Sequence, residues 1–403
     1  MHFLNPDNIA RLGNSLFWSH IVVHFDEIAL KGGNRQPFTY RLWKNITLAL
    51  TPFAPKFDKF HDRLVIVPAS PDHISPILTA TAQLFGVAYT IPIKRLELSI
   101  EAMSQAGVKL YKTLAKPNDS FRVTVKRVHK KFPMTSTEIQ QQIGHDLQQA
   151  THAPVDLHQP DITLFFRMYK DYVYLEGPRC LGPGGLPVGT AGSVLTLFSG
   201  GIDSPAAAWL IMRRGCITHF VHFHVFSNAE SVRETKIPAL IRKVLNPHRL
   251  TAKLFLVPYH PFSFECLKTH IPERLELAFF RRFMMRTADA LAEREKLSAL
   301  ITGDNLSQVA SQTIENLTAL EGTFTRPVFR PLLTYNKPEI IQLTKRIDTY
   351  EQSTTPYKDC CSLVTKHPHT KPKQEKVLEA ESSLDTKKMT EQALDETVIW
   401  TIE

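Results

Sequence analysis

The chain has 403 residues, 43% hydrophobic and 22% charged, a soluble globular balance with room for two or three domains and an ample core. Lys and Arg exceed Asp and Glu by 48 − 39 = 9, and the isoelectric point is about 9.2, so a polyanionic partner is plausible. Five cysteines, an odd number with no secretory signal, argue against a disulfide framework and for a reducing, cytoplasmic compartment, and no apolar stretch approaches the roughly 18 residues of a membrane span.

In chain order, residues 1 to about 18 carry no targeting pattern. The run from His20 to Ile46 then predicts a strand, a Gly-Gly turn bearing Lys31, Asn34 and Arg35, and an amphipathic helix. Residues 63–68 predict another strand and Asp72–Leu84 a helix, giving a small α+β unit over residues 1–72. Lys31 and Arg35 are candidate phosphate contacts, with a solvated turn as the alternative. From residue 73 to 180 helices and strands alternate. In the strand from Phe121, the apolar Phe121, Val123 and Val125 alternate with Arg122, Thr124 and Lys126, so one face is basic. Arg127, Lys130 and Lys131 follow beside Phe132, and Thr135 with Glu138 caps a helix. Cations beside an aromatic suit RNA through charge and stacking. A strand at 162–167 closes the segment.

Residues 181–192, LGPGGLPVGTAG, mark a domain boundary. Beyond it the pattern is strand 193–199, helix 204–214, strands 217–225 and 252–259, helix 272–295, strand 298–303, and helices at about 305–317 and 337–346. This order predicts a doubly wound parallel sheet with ligands beyond the strands' carboxyl ends. The densest signal is Ser199-Gly200-Gly201-Ile202-Asp203-Ser204-Pro205 between strand and helix. Two glycines let backbone approach a ligand, Pro205 suits a first helical turn, and the helix N-terminus favours a phosphate. No Gly-Lys-Ser/Thr follows, so it is not a Walker A loop. The six residues from Ser199 resemble the PP-loop of ATP pyrophosphatases, against the plainer reading of an ordinary strand-turn-helix corner.

The whole chain from about residue 19 resembles the ThiI family of tRNA 4-thiouridine synthetases, in a short form. The stretches that carry it are EIALKGGNR, KRVHKKFPMTSTEI, VDLHQPD, GPGGLPVGTAG, SGGIDSPAAAWLIMRRG, VHFH, RRFMMR, TGDNLSQVASQT, RPVFRPL and PYKDCCSLVTKHPHTKP. The resemblance implies an N-terminal ferredoxin-like α+β domain (1–72), a THUMP RNA-binding domain (73–180), a PP-loop domain (181–370) and a helical tail (371–403). It places nucleotide contacts at Leu197, Phe198, His222, Phe223, Arg281, Gly303 and Gln312. Phosphates fall to Ser199, Gly200, Gly201, Asp203 and Ser204, with Asp203 indispensable. ATP and Mg2+ are the implied cofactors, with no metal ligand visible in the sequence.

The Cys360-Cys361 pair is the second chemical feature. Spacing to Lys366, His367 and Pro368 aligns Cys361 with the family's sulfur-relay cysteine, and Lys358, Lys366 and His367 favour a thiolate. Buried filler and a zinc site with His367 and His369 are the rival readings. The implied reaction adenylates the C4 oxygen of uridine 8 in tRNA and replaces it with sulfur. Long-form relatives carry a rhodanese domain absent here, so a cysteine desulfurase or separate rhodanese is the expected donor. For some relatives the role extends to thiamine thiazole, and the resemblance allows a homodimer. Asp26, Ser307 and the run VFSN after VHFH depart from the family pattern. Two other classes stay open: another PP-loop ligase or amidase acting on a small substrate, and a non-catalytic tRNA-binding protein.

Overall fold

The structure, a computed structural model, describes residues 3–4, 17–60, 63–129, 131–269, 271–357, 360, 364 and 369–403. The chain divides into two compact units, residues 1–187 and 188–403.

The first unit is a sheet of strands β1 (Phe3–Leu4), β2 (His20–Phe25), β3 (Lys56–Phe60), β4 (Arg63–Val67), β5 (Val87–Leu96), β6 (Phe121–Arg127), β7 (Ile162–Met168), β8 (Val173–Glu176) and β9 (Arg179–Leu181). Helices α1 (Arg35–Ala49), α2 (Ile74–Thr81), α3 (Ile100–Leu114) and α4 (Ser136–Thr151) share one core with it. The order is β3-β4-β2-β5-β8-β7-β6, with β9 beside β5. The alternation read from Phe121 holds: Phe121, Val123 and Val125 are buried in that core, Arg122 and Thr124 are half-buried, and Lys126 is exposed. The expected division at residue 72 separates α2 and β5 from the strand they serve. β5 pairs with β2 from Val87 to Ile93 and with β8 from Ile93 to Leu96, so a single strand joins the two halves of the sheet. Thr135 and Glu138 form the predicted capping box, the Glu138 carboxylate accepting from the Thr135 amide at 2.6 Å and the Thr135 hydroxyl from the Glu138 amide at 3.2 Å.

The second unit places β14 (Val328–Phe329), β13 (Leu300–Ile301), β10 (Ser193–Leu197), β11 (Ile217–His224), β12 (Ala252–Pro258) and β15 (Val398–Ile402) in that order. All pairings are parallel except β12 with β15. Neighbouring residues of β10 face opposite ways, as a doubly wound sheet requires. Val194 packs with Ala206, Ala207 and Ile211 of α5 (Asp203–Arg213) and Ile340 of α10 (Lys337–Arg346). Leu195 packs with Phe279, Phe280 and Phe283 of α8 (Glu276–Arg294). α6 (Lys236–Leu245) follows β11, and α7 (His260–Thr269) follows β12.

Two expectations are corrected. The helix predicted over 305–317 is instead a series of turns, a short 3-10 turn at Ala310–Gln312 and the five-residue α9 (Ile314–Thr318). Tertiary ties break it: Asn305 donates through Nδ2 to the Leu332 carbonyl at 3.1 Å and to that of Tyr335, and Ser307 sits at φ 61°. The tail, expected to be helical, forms α12 (Gln374–Glu381) and α13 (Thr386–Asp395) and then the edge strand β15. It is bolted down by Glu381, which takes Arg282 at 2.7 Å and Arg286 at 3.1 Å from α8. Removing one partner of such a buried pair costs about 3–5 kcal/mol.

Candidate active site

Strand order reverses between β10 and β13, and a pocket opens at the carboxyl ends of β10, β11 and β13. Its lining includes Leu197, Phe198, Ser199, Asp203, Ser204, His222, Phe223, Arg281, Gly303 and Gln312, so these sequence-derived candidates converge on one cavity. Gly200 and Gly201 form the turn between Ser199 and α5.

That turn is fixed by backbone. Gly200 has φ 83°, and a Cβ there would lie 2.4 Å from Ile237 Cδ1, so only glycine fits. The Ser204 hydroxyl accepts from the Gly200 amide at 3.2 Å and donates to the Gly201 carbonyl at 3.3 Å. Gly303 abuts the first turn of α5, where an added Cβ would lie 3.1 Å from the Asp203 carbonyl carbon. The glycines therefore bring the tips of β10 and β13 against the positive end of α5, a phosphate-binding arrangement.

Asp203, at that helix start, is held by Lys337, whose Nζ lies 3.1 Å and 3.3 Å from its two carboxylate oxygens, and by the Gln308 amide at 3.2 Å. Lys337 was not read as a site residue. The Asn336–Glu339 capping box marks only a helix start, and nothing local says that this start faces a residue 134 positions earlier. Asp304, at the strand tip beside Gly303, also lines the pocket. Its carboxylate accepts from Arg281 at 2.7 Å and from the Thr302 hydroxyl at 2.7 Å, with Arg330 3.5 Å away. Arg281 also donates to the Ser311 carbonyl. The arginine expected to grip triphosphate thus has two of its nitrogens committed to the loop that walls the pocket. Gln312, in that loop, lines the pocket, and its buried amide oxygen has no hydrogen-bond partner among the described residues.

His222 is buried, and burial holds it neutral, its pKa pushed down to about 4 against the opposing effect of its bond to Phe198. Nδ1 lies 2.7 Å from the Phe198 carbonyl and Nε2 lies 2.8 Å from the Tyr357 hydroxyl. A carbonyl only accepts, so Nδ1 carries the proton and Tyr357 donates to Nε2.

Cys360 lines the same pocket, buried, its thiol donating to the Phe223 carbonyl at 3.2 Å. Cys361, Lys358, Lys366 and His367 lie outside the described residues, as does Lys130. Among the described residues no group of three or more His, Cys, Asp or Glu is placed to hold a metal. Of the candidate RNA contacts, Lys126 and Lys131 are exposed, while Lys31 and Arg35 lie over the rings of Phe38 and Phe25 at 4.9 Å and 5.8 Å. Arg127 instead donates to the Met134 carbonyl at 2.6 Å, holding the loop ahead of α4. Asp26, a departure from the family pattern, accepts from the Gly185 amide at 2.7 Å and so anchors the glycine-rich linker.

Sheet, glycine turn and pocket define a nucleotide site of the ATP-pyrophosphatase class. Residues 189–386 match the family described as thiamine biosynthesis protein (ThiI), residues 97–176 the THUMP domain and residues 20–90 the ThiI ferredoxin-like domain. The chain is 38% identical over 381 residues to a protein of Caldanaerobacter subterraneus subsp. tengcongensis named probable tRNA sulfurtransferase, covering 94% of this chain and 98% of that one. A Limosilactobacillus fermentum protein of the same name is 37% identical, covering 94% and 93%. A crystal structure of a 4-thiouridine synthetase in complex with RNA and bound ATP superposes with a TM-score of 0.85 at 30% identity, covering 96% of this chain and 100% of that one. The chain belongs to the ThiI family of tRNA sulfurtransferases.

Proposed function

We propose that this protein is an ATP-dependent tRNA sulfurtransferase that converts uridine 8 of tRNA to 4-thiouridine. The observation that carries the reading is the single pocket in which the glycine turn, Asp203 with Lys337, and Cys360 meet at the carboxyl ends of β10, β11 and β13.

In the first step the C4 oxygen of the uracil attacks the α-phosphorus of ATP, N3 gives up its proton and pyrophosphate leaves. The first-turn amides of α5 and Lys337 face the charge of the phosphates, while Leu197, Phe198 and Phe223 offer an apolar edge to adenine. Asp203 would be the carboxylate to hold a Mg2+ shared with the phosphates, an ion commonly bound by one or two carboxylates, and such an ion would supply charge neutralisation. In the second step sulfur attacks C4 and AMP leaves with the former carbonyl oxygen. With sulfide, the thiol proton moves to N3 and the thione results. With a persulfide on the cysteine pair, the first product is a disulfide between cysteine and C4. A second thiol then attacks the cysteine sulfur, becomes disulfide-linked to it, and releases the thiouracil. A cysteine desulfurase or a rhodanese is the donor this scheme requires. Lys126 and Lys131, with Lys31 and Arg35, are the cations assigned to the RNA backbone. Among the described residues no helix is long and apolar enough to cross a membrane.

The test is tRNA-dependent pyrophosphate release from Mg-ATP, comparing tRNA carrying uridine 8 with tRNA carrying cytidine there. Release with the first and not the second is expected. Equal release with both would exclude uridine 8 as the target, and release with neither would exclude adenylation of tRNA.

A further inference from the structure

The segment that leads to Cys360 is fastened at three successive points, the last two at the nucleotide pocket. Lys236, in the first turn of α6, inserts its ammonium between the carbonyls of Ser353 at 2.6 Å and Thr355 at 2.7 Å, at the end of α11 (Tyr350–Thr354). Two residues on, Tyr357 donates to His222 Nε2, its ring centroid 5.7 Å from the imidazole and 6.5 Å from that of Phe226. Three residues further, Cys360 donates to the carbonyl of Phe223. The last two anchors are neighbours, His222 and Phe223, at the carboxyl end of β11, and both line the pocket.

His222 is the pivot. Its other nitrogen holds the carbonyl of Phe198, the residue that opens the glycine turn. A hydrogen-bonded chain therefore runs from the turn through the imidazole to the Tyr357 phenol, three residues ahead of Cys360. Burial keeps the imidazole neutral at ordinary pH, so the donor and acceptor order along that chain is fixed. Lys236 holds the segment at Ser353 and Thr355, and the Cys360 thiol is a weak donor, so the Tyr357 hydroxyl, three residues before Cys360, is a stronger and more directional tie than the thiol's own.

We infer that Tyr357 is a positioning residue for sulfur delivery: by donating to His222 three residues ahead of Cys360, it sets the Cys360 thiol against the nucleotide pocket, so that sulfur reaches an activated base bound there. The inference rests on the sulfurtransferase reading above. It assigns Tyr357 no contact with the reacting atoms.

Tyr357→Phe in the full chain removes one oxygen and keeps the ring. Three rates are compared with wild type: tRNA-dependent pyrophosphate release, thiolation driven by a cysteine desulfurase with cysteine, and thiolation driven by excess free sulfide. The expected outcome is a split. Desulfurase-driven thiolation falls about tenfold or more in kcat with KM for ATP unchanged, while the other two rates stay within about threefold. Alkylation of Cys360 by iodoacetamide, mapped by mass spectrometry, is expected to accelerate about tenfold, because the segment lifts from Phe223 more often. Unchanged desulfurase-driven thiolation would overturn the inference. So would a parallel fall of all three rates, which marks damage to the nucleotide pocket, or an unchanged alkylation rate. If wild type thiolates tRNA with neither donor, the sulfurtransferase reading itself falls and the inference with it.

Discussion

The two loops that wall the pocket hold their shape by opposite means. The turn after β10 is set by its own backbone: Gly200 sits at φ 83° with no space for a Cβ, and Ser204 closes the turn within four residues. The run from Gly303 to Thr313 after β13 is set by side-chain ties to residues far along the chain. Arg281 spans Asp304 and the Ser311 carbonyl, and Asn305 reaches the carbonyls of Leu332 and Tyr335. The contrast teaches that one wall of the site is written in six consecutive letters and the other in residues scattered from 281 to 335.

Substitutions can separate the two. The largest effect is expected from Asp203→Asn, at the junction of both loops, which keeps the shape but leaves Lys337 without its carboxylate. Pyrophosphate release should drop about 10³-fold, the scale of losing a key electrostatic group, with little change in the urea midpoint. Next, Asp304→Asn attacks only the second loop. It leaves buried Arg281 without its counter-charge and should cost about 3 kcal/mol in urea unfolding. Gly200→Ala attacks only the first. The clash with Ile237 and the left-handed backbone should cost about 2 kcal/mol and weaken ATP binding in a calorimetric titration.

A pH series probes the imidazole behind the first loop. His222 titrates near 4 when folded and near 6.5 when unfolded, so between these values the unfolded chain takes up a proton that the folded one does not. Its contribution to stability is complete above about 6.5 and is lost as pH falls, by about 1.4 kcal/mol per unit. His24 and His248, each lowered to about 3 chiefly by burial, steepen the same slope. The melting temperature should fall across this window, and His222→Asn should fall less steeply than wild type. The smallest effect is a gain. Ser307 adopts φ 61°, which glycine enters without penalty, so Ser307→Gly should raise stability by up to about 1 kcal/mol.

The same contrast explains what could be read in advance. The glycine turn, the alternating β6 and the Thr135–Glu138 capping box were legible because each depends on neighbours in sequence. The strand pairing of β15 with β12 was not, because a five-residue run such as Val398–Ile402 in a charged tail becomes a strand only when an edge is free to receive it. Lys337 and Tyr357 were missed for the same reason, since their roles lie in contacts 134 and 135 residues away along the chain. Arg281 lines the pocket, but its commitment to Asp304 appears only in three dimensions.

The account is tested most directly by mass spectrometry of nucleosides from tRNA incubated with the protein, Mg-ATP and a sulfide source. Wild type should yield 4-thiouridine and Asp203→Asn should yield essentially none. Absence of any thiolated nucleoside with wild type, while tRNA still binds, would contradict the account and leave an RNA-binding protein in place of an enzyme.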